Sequence, residues 1–324
     1  MSIKALLIPS LNRPPEQVRL PEFEQGAAIP RIIHQTFYDR NLPGPLKANV
    51  ERMKALNPGW EYRFYDDADI EAFIKQNYPA FVWDYYERID KRYGAARADF
   101  FRYLLMYKVG GVYLDIKSGA LRPLDSVLKP DDCFILSKWH SEDGGFEHWG
   151  LVFDLRHLHG GEYQQWHIVC SPGHPFLKAV LEQVFFNIDH YDPHLHQTGK
   201  RGTLRVTGPV PYTLAIERIR ERYPHRVVDS RAALGLEYNV IDGDQGHVKV
   251  FKGHYSLQTA SIIRLTPLKR QLSHLYGFAQ WLNDRLLRSR ADAKLTPIEK
   301  PAAVLERERL RDERVRAELA RSST

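Results

Sequence analysis

The chain has 324 residues, with 46 lysines and arginines against 40 aspartates and glutamates, and a formal net charge of +6. A hydrophobic fraction of 43% with 12% aromatic residues is enough to build a core, which excludes a mainly disordered chain. No stretch approaches the roughly 20 apolar residues that span a bilayer, and the run Ala5–Ile8 is too short for a signal peptide. Cys133 and Cys170 cannot form a disulfide framework and lie at no metal-ligand spacing. The composition therefore predicts a soluble, cytoplasmic protein.

The positive charge is concentrated at the C-terminal end. Residues 264–324 carry 14 basic and 8 acidic groups, whereas residues 1–263 carry 32 of each. A pI of about 9.1 raises the question of a nucleic-acid partner. Because the basic excess lies in a tail and not on the face of a folded domain, we expect no nucleic acid.

Predicted strands and helices alternate over the first part of the chain. Residues 1–28 are rich in proline and polar groups and predict an irregular lead-in. The elements predicted next are strand 31–34, helix 45–56, strand 60–65, helix 68–76, helix 95–107 and strand 112–116. This order predicts an α/β fold with a mostly parallel sheet. In such a sheet the ligand crevice lies outside the carboxyl ends of the strands, where His34, Asp67 and Asp115 fall in this sequence.

A charged pair lies on the predicted helix 95–107. Asp99 and Arg102 are three residues apart, so their side chains share one helix face. Most residues around them are apolar, so these charges must pair with each other or face a polar cavity or ligand. Both interpretations stay open on this segment alone. After the helix, Gly110-Gly111 permits a tight turn, and the next strand brings Asp115 to the sheet edge, where a carboxylate can bind sugar hydroxyls or a cation.

Taken in order, these motifs resemble glycosyltransferase family 32, the DXD-containing sugar transferases that include yeast-type initiating mannosyltransferases and bacterial capsular polysaccharide transferases. The central match is Ala98-Asp99-Phe100-Phe101-Arg102-Tyr103 followed by Gly110-Gly111-Val112-Tyr113-Leu114-Asp115. The flanking matches are the opening strand Ile29–Phe37, the segment Asn57–Asp67, and the landmarks Cys170–Pro175 and Thr207–Pro209. The resemblance extends over roughly residues 29–265.

The resemblance implies a GT-A type fold and transfer of a hexose from a UDP- or GDP-sugar, with retention of configuration, to a glycan or lipid-linked glycan, as in polysaccharide biosynthesis. It implies that Asp99 and Arg102 hold the donor sugar's hydroxyls. It also implies that Asp115, the first DXD acid, contacts the ribose or sugar and helps to place Mn²⁺ or Mg²⁺. The further donor-binding residues that it implies are His34 and Gln35 beside the base, together with Asp67, Tyr113, Gly208 and His254.

The sequence departs from the family pattern at the second DXD acid, where Asp115-Ile116-Lys117 has a lysine. A protonated lysine cannot ligate a cation, but its ammonium can neutralise a diphosphate. Three interpretations stay open: a metal bound through Asp115 with water or another acid, Lys117 replacing part of the metal's charge, or a sugar-nucleotide-binding scaffold without catalysis. Lys117 is therefore a candidate catalytic residue, and the metal dependence stays open. In addition, the family often has a His followed by Ser-Trp near the end of its domain, whereas His254-Tyr255-Ser256 is not followed by a Trp. In the family this segment forms the lid that closes over the donor.

Several other polar groups admit a functional interpretation beside an ordinary one. An aspartyl-phosphate enzyme also begins with an aspartate after an apolar strand, but it needs a second acid where Lys117 stands. The histidines His157, His159, His167 and His174 show no zinc-site spacing. A second group fits either a surface loop or an acceptor-side loop: Asp189, His190, Asp192, His194 and His196. A third group places aromatic rings beside carboxylates, as sugar-binding sites do, or forms an ordinary loop: Trp139, Glu142, Asp143, Glu147 and Trp149.

The sequence predicts three parts, which are the lead-in 1–28, a catalytic domain over 29–265 and a basic helical tail over 266–324. In the tail, leucines and Phe278 recur every three or four residues over 268–290, with Tyr276 and Trp281 beside them. This pattern, with basic residues near its ends, suits an anionic membrane surface and a peripheral position on the inner face of a membrane. Packing on the catalytic domain, or an oligomer contact, is the alternative.

Overall fold

A six-stranded mixed sheet forms the centre of the structure, a computed structural model that describes residues 10–15, 20–139, 149–241 and 258–291. The strands in chain order are β1 (Ile32–Thr36), β2 (Glu61–Tyr65), β3 (Gly111–Leu114), β4 (Gly119–Ala120), β5 (Phe134–Leu136), β6 (His167–Cys170), β7 (Arg226–Val227) and β8 (Leu236–Glu237). Strands β4 and β8 form a separate antiparallel pair.

Helices cover the sheet and connect its strands. They are α1 (Gly44–Leu56), α2 (Asp67–Asn77), α3 (Ala80–Arg88), α4 (Gly94–Val109), α5 (Pro175–His190), α6 (Pro193–His196), α7 (Gly199–Val206), α8 (Pro209–Glu217) and α9 (Pro267–Ala291). Short 3-10 turns lie at Leu124–Ser126, Phe153–Leu155 and Arg220–Arg222. Within the described ranges, no helix combines the length and the apolar character needed to cross a membrane.

The strand directions determine which chain segments meet at one edge of the sheet. The spatial order is β2-β1-β3-β6-β5-β7. Strand β1 is parallel to β2 and β3, β6 is antiparallel to β3 and β5, and β5 is parallel to β7. The carboxyl ends of β2, β1, β3 and β5 therefore share an edge with the amino end of β6. This arrangement confirms the predicted α/β class with a mostly parallel sheet.

The sheet is buried on both faces because its side chains alternate between two apolar clusters. Tyr113 of β3 packs into the cluster formed with α2, α3, α4, α5 and α8, whereas Val112 and Leu114 pack into a second cluster with Met53 of α1. Helix α4 itself is buried on most sides, as its sequence predicts. A charged side chain on α4 must therefore meet another charge or the cavity at the sheet edge.

A glycine pair fixes the turn from α4 into β3. Gly110 ends the helix with φ +67° and Gly111 follows with φ +103°, a region that side-chain-bearing residues rarely adopt. A Cβ on Gly110 would lie 2.5 Å from the Pro172 nitrogen, and one on Gly111 would lie 2.6 Å from the Ile32 carbonyl oxygen. The turn requires glycine at both positions, and it sets α4 against the end of β3.

The chain divides into two compact units, residues 1–274 and 275–324, and the sheet belongs to the first. The described parts of the lead-in, 10–15 and 20–28, contain no helix or strand. The predicted helical tail is present as α9 as far as Ala291. The charged segment predicted beyond Pro297 lies outside the described residues. The domain boundaries at 28 and 265 stay predictions.

Candidate active site

A cavity of about 1200 Å³ lies along the edge where the strand ends meet. It is lined by the segments that follow β1, β3 and β5 and by the segment that precedes β6, namely Thr36–Tyr38, Asp115–Lys117, Trp139 and Gln165–Trp166. Asp99 and Arg102 of α4 complete its wall. This is the position at which α/β sheets bind ligands.

Arg102 joins two carboxylates in the cavity wall. Its Nη2 lies 3.1 Å from Asp99 Oδ1, and its Nη1 lies 3.2 Å from Asp115 Oδ1. Nη1 also donates to the Gln165 carbonyl oxygen at 2.7 Å. The side chains of Asp99 and Arg102 are 5% and 6% exposed, whereas that of Asp115 is 25% exposed. The cluster of Asp99, Arg102 and Asp115, here called the cavity triad, therefore presents Asp115 to the cavity as its most open member.

Asp99 is held by neutral donors as well as by Arg102. Thr207 Oγ1 donates to Oδ2 at 3.0 Å, and Gln165 Nε2 donates to Oδ1 at 3.3 Å. Burial raises the pKa of Asp99 to about 6, although Arg102 and the Thr207 hydroxyl oppose that shift. Asp99 therefore takes up a proton closer to neutral pH than an ordinary aspartate does.

Lys117 lines the cavity, but its ammonium group already has a partner. Its Nζ donates to the Tyr238 hydroxyl at 2.7 Å and lies 4.0 Å from the centroid of that ring. Burial lowers the pKa of Lys117, while Asp115 works in the opposite direction. The β4–β8 pair brings the two residues together, because the Ser118 hydroxyl donates to the Tyr238 carbonyl at 2.7 Å.

The described residues around Asp115 do not fit a divalent cation held by two DXD acids. One Asp115 oxygen contacts Arg102, and an ammonium stands where the second acid would be. Cations repel a metal ion at the distances over which a carboxylate would bind it. In the described ranges, no three His, Cys, Asp or Glu side chains come together as a metal site.

His34 and Gln35 lie behind the cavity wall and do not line it. Both are fully buried. His34 Nδ1 lies 3.1 Å from the Tyr65 hydroxyl and Nε2 lies 3.0 Å from the Gly110 carbonyl oxygen, and burial lowers the His34 pKa to about 4. Gln35 donates to the Asp115 carbonyl oxygen at 3.2 Å. These two residues therefore support the turn and Asp115 from behind, and their expected contact with the donor stays a prediction.

Of the other four predicted donor-binding residues, three line the cavity and one lies outside the described residues. Asp67, Tyr113 and Gly208 line the cavity. The Tyr113 hydroxyl lies 3.2 Å from Thr36 Oγ1 and 3.4 Å from Asp115 Oδ1, and burial raises the pKa of Asp67. His254 lies outside the described residues, as do Glu142, Asp143 and Glu147.

The cavity also contains residues that the sequence patterns did not single out as ligand-binding. Phe37 and Tyr38 follow β1, Glu162 precedes β6, and Tyr238 follows β8. Phe37 occupies the position where the family often has Trp, and this correspondence could have identified it from the sequence. Glu162 and Tyr238 come close to Trp139 only through the tertiary fold, and local sequence gives no sign of that.

The two histidine groups lie outside this cavity, and their structural roles are visible. His167 is buried in β6, and His174 precedes α5 and accepts from the Phe176 amide at 3.2 Å. Asp192 caps α6, and Asp189 pairs with Arg88 at 2.8 Å. None of the cavity-lining residues comes from the segment 189–196, so the described cavity offers no support for an acceptor-side role of that loop.

The chain is similar to proteins that are named as glycosyltransferases. Residues 43–134 match the family described as "Glycosyltransferase sugar-binding region containing DXD motif". "Inositol phosphoceramide mannosyltransferase 3" of Schizosaccharomyces pombe is 38% identical over 104 residues, which are 32% of this chain and 28% of that protein. "Initiation-specific alpha-1,6-mannosyltransferase" of Candida albicans is 24% identical over 179 residues, which are 50% of this chain and 44% of that protein. This chain thus spans less than half the length of either relative.

Two solved structures superpose over much of the chain at low identity. "PaToxG Glycosyltransferase" covers 76% of this chain and 84% of its own, with a TM-score of 0.43 and 14% identity. "Crystal structure of the UDP-bound glycosyltransferase domain from the YGT toxin" covers 64% of this chain and 80% of its own, with a TM-score of 0.44 and 10% identity.

Proposed function

Because residues 43–134 match the family of glycosyltransferase sugar-binding regions that contain a DXD motif, we propose that this chain is a retaining hexosyltransferase. Its donor is a UDP- or GDP-sugar, and its acceptor is a glycan or lipid-linked glycan of surface-polysaccharide biosynthesis. The two relatives are named as mannosyltransferases, which supports sugar transfer as the reaction class. The observation that carries the proposal is Arg102, which bridges Asp99 and Asp115 in the wall of the edge cavity.

In this proposal the donor sugar binds at the cavity triad. Asp115 is its most open member and accepts hydrogen bonds from sugar hydroxyls, while Arg102 donates to sugar or phosphate oxygens. Asp99 is almost fully buried and acts mainly by fixing the Arg102 guanidinium, because a planar guanidinium held by two acids keeps one orientation. The nucleotide base lies toward the end of β1, where Phe37 and Tyr38 offer aromatic surface.

The leaving diphosphate needs positive charge, and two cavity side chains supply it. Lys117 and Arg102 both line the cavity, and fixed positive groups stabilise charge that develops on a leaving group. Tyr238 orients the Lys117 ammonium through their 2.7 Å hydrogen bond. Family members usually use Mn²⁺ for this task. We propose that the present chain has a weakened metal dependence because Lys117 replaces the second acid.

A screen for donor binding and turnover tests the proposal. Thermal shifts with a panel of UDP- and GDP-sugars, with and without Mn²⁺, identify the nucleotide, since a ligand that binds only the folded state raises its melting temperature. Donor hydrolysis is then measured for the full chain, for Asp115→Asn and for the exposed control Asp131→Asn. We expect hydrolysis in the full chain and the control and its loss in Asp115→Asn. Equal turnover in all three would contradict the site.

A binding scaffold without catalysis is the second candidate function. One observation favours it, namely that an ammonium held by Tyr238 replaces a family acid. Donor binding without hydrolysis or transfer under any metal would support the scaffold. Turnover that is lost in Asp115→Asn would exclude it.

We further propose that α9 binds anionic membrane surfaces and that the protein works in the cytoplasm, at the inner face of a membrane. Several large apolar side chains of α9 are exposed, namely Leu268, Leu272, Leu275, Phe278, Trp281 and Leu282. Apolar side chains with basic residues near the helix ends are typical of interfacial helices. The alternative is that the apolar face makes a protein contact.

Liposome co-sedimentation distinguishes these uses of α9. The full chain is compared with a Phe278→Ser/Trp281→Ser variant and with Phe153→Ser, which changes an aromatic residue of similar exposure in the first unit. We expect binding to anionic vesicles at low salt by the full chain and by the Phe153 control only. Equal binding by all three proteins, or binding by none, would refute the membrane role.

A further inference from the structure

The cavity has a second, aromatic end that meets the proposed donor site at the Lys117–Tyr238 contact. Trp139, Trp149 and Tyr238 surround one another with ring centroids 5.1, 5.2 and 5.6 Å apart, and these three residues are here called the aromatic cluster. All three line the cavity. Trp166 packs behind Tyr238 at 5.5 Å and is buried, whereas Trp149 remains 46% exposed. A large indole surface is therefore presented at the cavity opening.

A carboxylate lies beside this aromatic surface. The Trp139 indole nitrogen donates to Glu162 Oε1 at 2.8 Å. Oε2 of Glu162 has no hydrogen-bond donor among the described residues, and the side chain lines the cavity. Burial raises the pKa of Glu162 to about 7, with Trp139 and Lys200 opposing the shift. A partly buried carboxylate with a free oxygen that faces a cavity can accept a hydrogen bond from a bound hydroxyl group.

Two glycines bring the backbone close enough to hold this arrangement. Gly150 and Gly161 have φ +75° and +67°. A Cβ on Gly150 would lie 2.5 Å from Trp139 Cδ1, and one on Gly161 would lie 2.3 Å from the Gly150 carbonyl oxygen. That carbonyl accepts from the Glu162 amide at 3.0 Å. The backbone therefore fixes Glu162 against the Trp139 ring.

The two ends of the cavity are separated by three strand spacings of the sheet. Phe37 and Tyr38 follow β1, and Trp139 follows β5, which is three strands away in the order β1-β3-β6-β5. Three spacings correspond to about 14 Å. Lys117 follows the central strand β3 and contacts Tyr238 of the aromatic cluster. The proposed diphosphate site therefore borders the aromatic cluster directly.

We propose that the aromatic cluster and Glu162 form the acceptor subsite, and that the group bound there is a neutral polyhydroxylated ring, a hexose or a cyclitol. The inference rests on the proposed function. The apolar face of the ring packs on Trp149, the exposed member of the aromatic cluster, and a ring hydroxyl donates to Glu162. Transfer needs an acceptor hydroxyl beside the bond to the leaving diphosphate, and the Lys117–Tyr238 contact puts the two subsites next to each other.

The test separates acceptor binding from donor chemistry. Donor consumption by the full chain is measured alone and with millimolar methyl α-mannoside, methyl α-glucoside or myo-inositol, which distinguishes hexose from cyclitol acceptors. The variants are Trp149→Ala, Trp149→Phe and Glu162→Gln. The control is Phe153→Ala, an exposed aromatic residue that does not line the cavity.

We expect at least one ring to accelerate donor consumption by the full chain. Trp149→Ala should raise the acceptor KM about tenfold, and Trp149→Phe should restore most of that loss because it keeps a ring face. Glu162→Gln should also raise the acceptor KM, since it loses the charged acceptor but keeps the shape. Donor KM and hydrolysis without acceptor should change less than about twofold in every variant.

The results distinguish a failure of the proposed function from a failure of the acceptor subsite alone. If the full chain neither binds nor hydrolyses any nucleotide sugar, the proposed function fails. If it hydrolyses donor but no ring accelerates consumption, or if Trp149→Ala and Glu162→Gln leave the acceptor KM unchanged, only the acceptor subsite fails. A fall in kcat for Glu162→Gln at constant acceptor KM would also overturn it, because Glu162 would then act on the reaction and not on binding.

Discussion

Two buried arginine–carboxylate clusters in this molecule differ in how the arginine is shared. Arg226 gives two of its nitrogens to the single carboxylate of Asp132, with Nε 2.9 Å from Oδ1, and the Lys129 amide donates to the same carboxylate at 2.8 Å. In the cavity triad, Arg102 is divided between Asp99 and Asp115. Asp132 and Asp99 are similarly buried, at 4% and 5% exposure. Burial alone therefore does not distinguish a structural pair from a site.

What distinguishes the clusters is the capacity left for a ligand. Asp132 has both oxygens engaged by donors of the chain, whereas Asp115 is 25% exposed and lies on the cavity. A closed pair contributes to stability and fixes local geometry, while a shared arginine beside an open acid can also bind a ligand. The two clusters should therefore respond differently to substitution of their aspartates.

The largest expected effect is that an Asp→Asn substitution lowers transfer in the cavity triad but lowers only stability in the Arg226–Asp132 cluster. Asp99→Asn and Asp115→Asn should each lower transfer at least about 100-fold, because they remove charge from the donor site. The melting temperature of Asp115→Asn should change little, because that side chain is 25% exposed. Asp99→Asn leaves the buried Arg102 with one carboxylate fewer and should lower the melting temperature. Asp132→Asn should lower the free energy of unfolding by about 1–3 kcal/mol and leave the kcat of the folded enzyme unchanged.

Thermal melts and transfer kinetics on the three variants check this first prediction. Activity is normalised to the folded fraction of each protein. If Asp132→Asn lost transfer as strongly as Asp115→Asn, or if Asp115→Asn kept near-normal turnover, the distinction between the two clusters would be lost.

An intermediate effect is expected from restoring the family acid beside the cavity triad. Lys117→Asp adds a second carboxylate near Asp115 and removes a cation, so it should create a metal site. We expect Mn²⁺ to stimulate its transfer about tenfold more than that of the unchanged chain. Mn²⁺ binding is measured directly by electron paramagnetic resonance, with Lys138→Asp, on a half-exposed lysine outside the cavity lining, as the control.

The response to EDTA completes that experiment. EDTA should inhibit Lys117→Asp strongly and the unchanged chain weakly. An identical response of both proteins to EDTA and Mn²⁺, with no added Mn²⁺ binding, would argue against a role of Lys117 in the site.

The smallest effect concerns the pH at which the cavity triad loses a charge. The Asp99 pKa is about 6, so transfer should fall as the pH drops through that value and Asp99 takes up a proton. Thr207 Oγ1 donates to Asp99 at 3.0 Å and lowers its pKa. Thr207→Val should therefore shift the acid limb of the rate profile upward by roughly half a pH unit. A profile that did not move would assign the acid limb to another group.

The sequence predicted β1, α1, β2, α2, α4 and β3, because each of these elements has a local pattern, but it missed α3. The role of the cavity triad in a site stays a prediction. Asp99 and Arg102 share a helix face by spacing alone, and Gly110-Gly111 followed by an apolar strand carries Asp115 to the same edge. The position of His34 behind the cavity wall could not be predicted from a local pattern. A polar residue inside an apolar strand need not face a ligand, and here its ring nitrogens lie against Tyr65 and the Gly110 carbonyl.

The aromatic end of the cavity could not be predicted from spacing. Glu162 is 23 residues from Trp139, and Tyr238 is 121 residues from Lys117. These contacts depend on β6 running against its neighbours and on the β4–β8 pair, and neither feature has a sequence signature. The sequence did flag Trp139 and Trp149 as sugar-binding candidates, but it associated them with carboxylates that lie outside the described residues.

The reversed direction of β6 has a consequence for how such a protein can diversify. The described parts of the β5–β6 excursion, residues 137–139 and 149–166, lie after the end of β5 and before the start of β6, which share one sheet edge. This excursion carries Trp139, Trp149 and Glu162, whereas Asp99, Arg102 and Asp115 belong to α4 and the end of β3. A change in the length or sequence of this excursion leaves the glycine turn and its charges in place. The fold thus allows the proposed donor and acceptor subsites to evolve separately, because they lie on different segments of the chain.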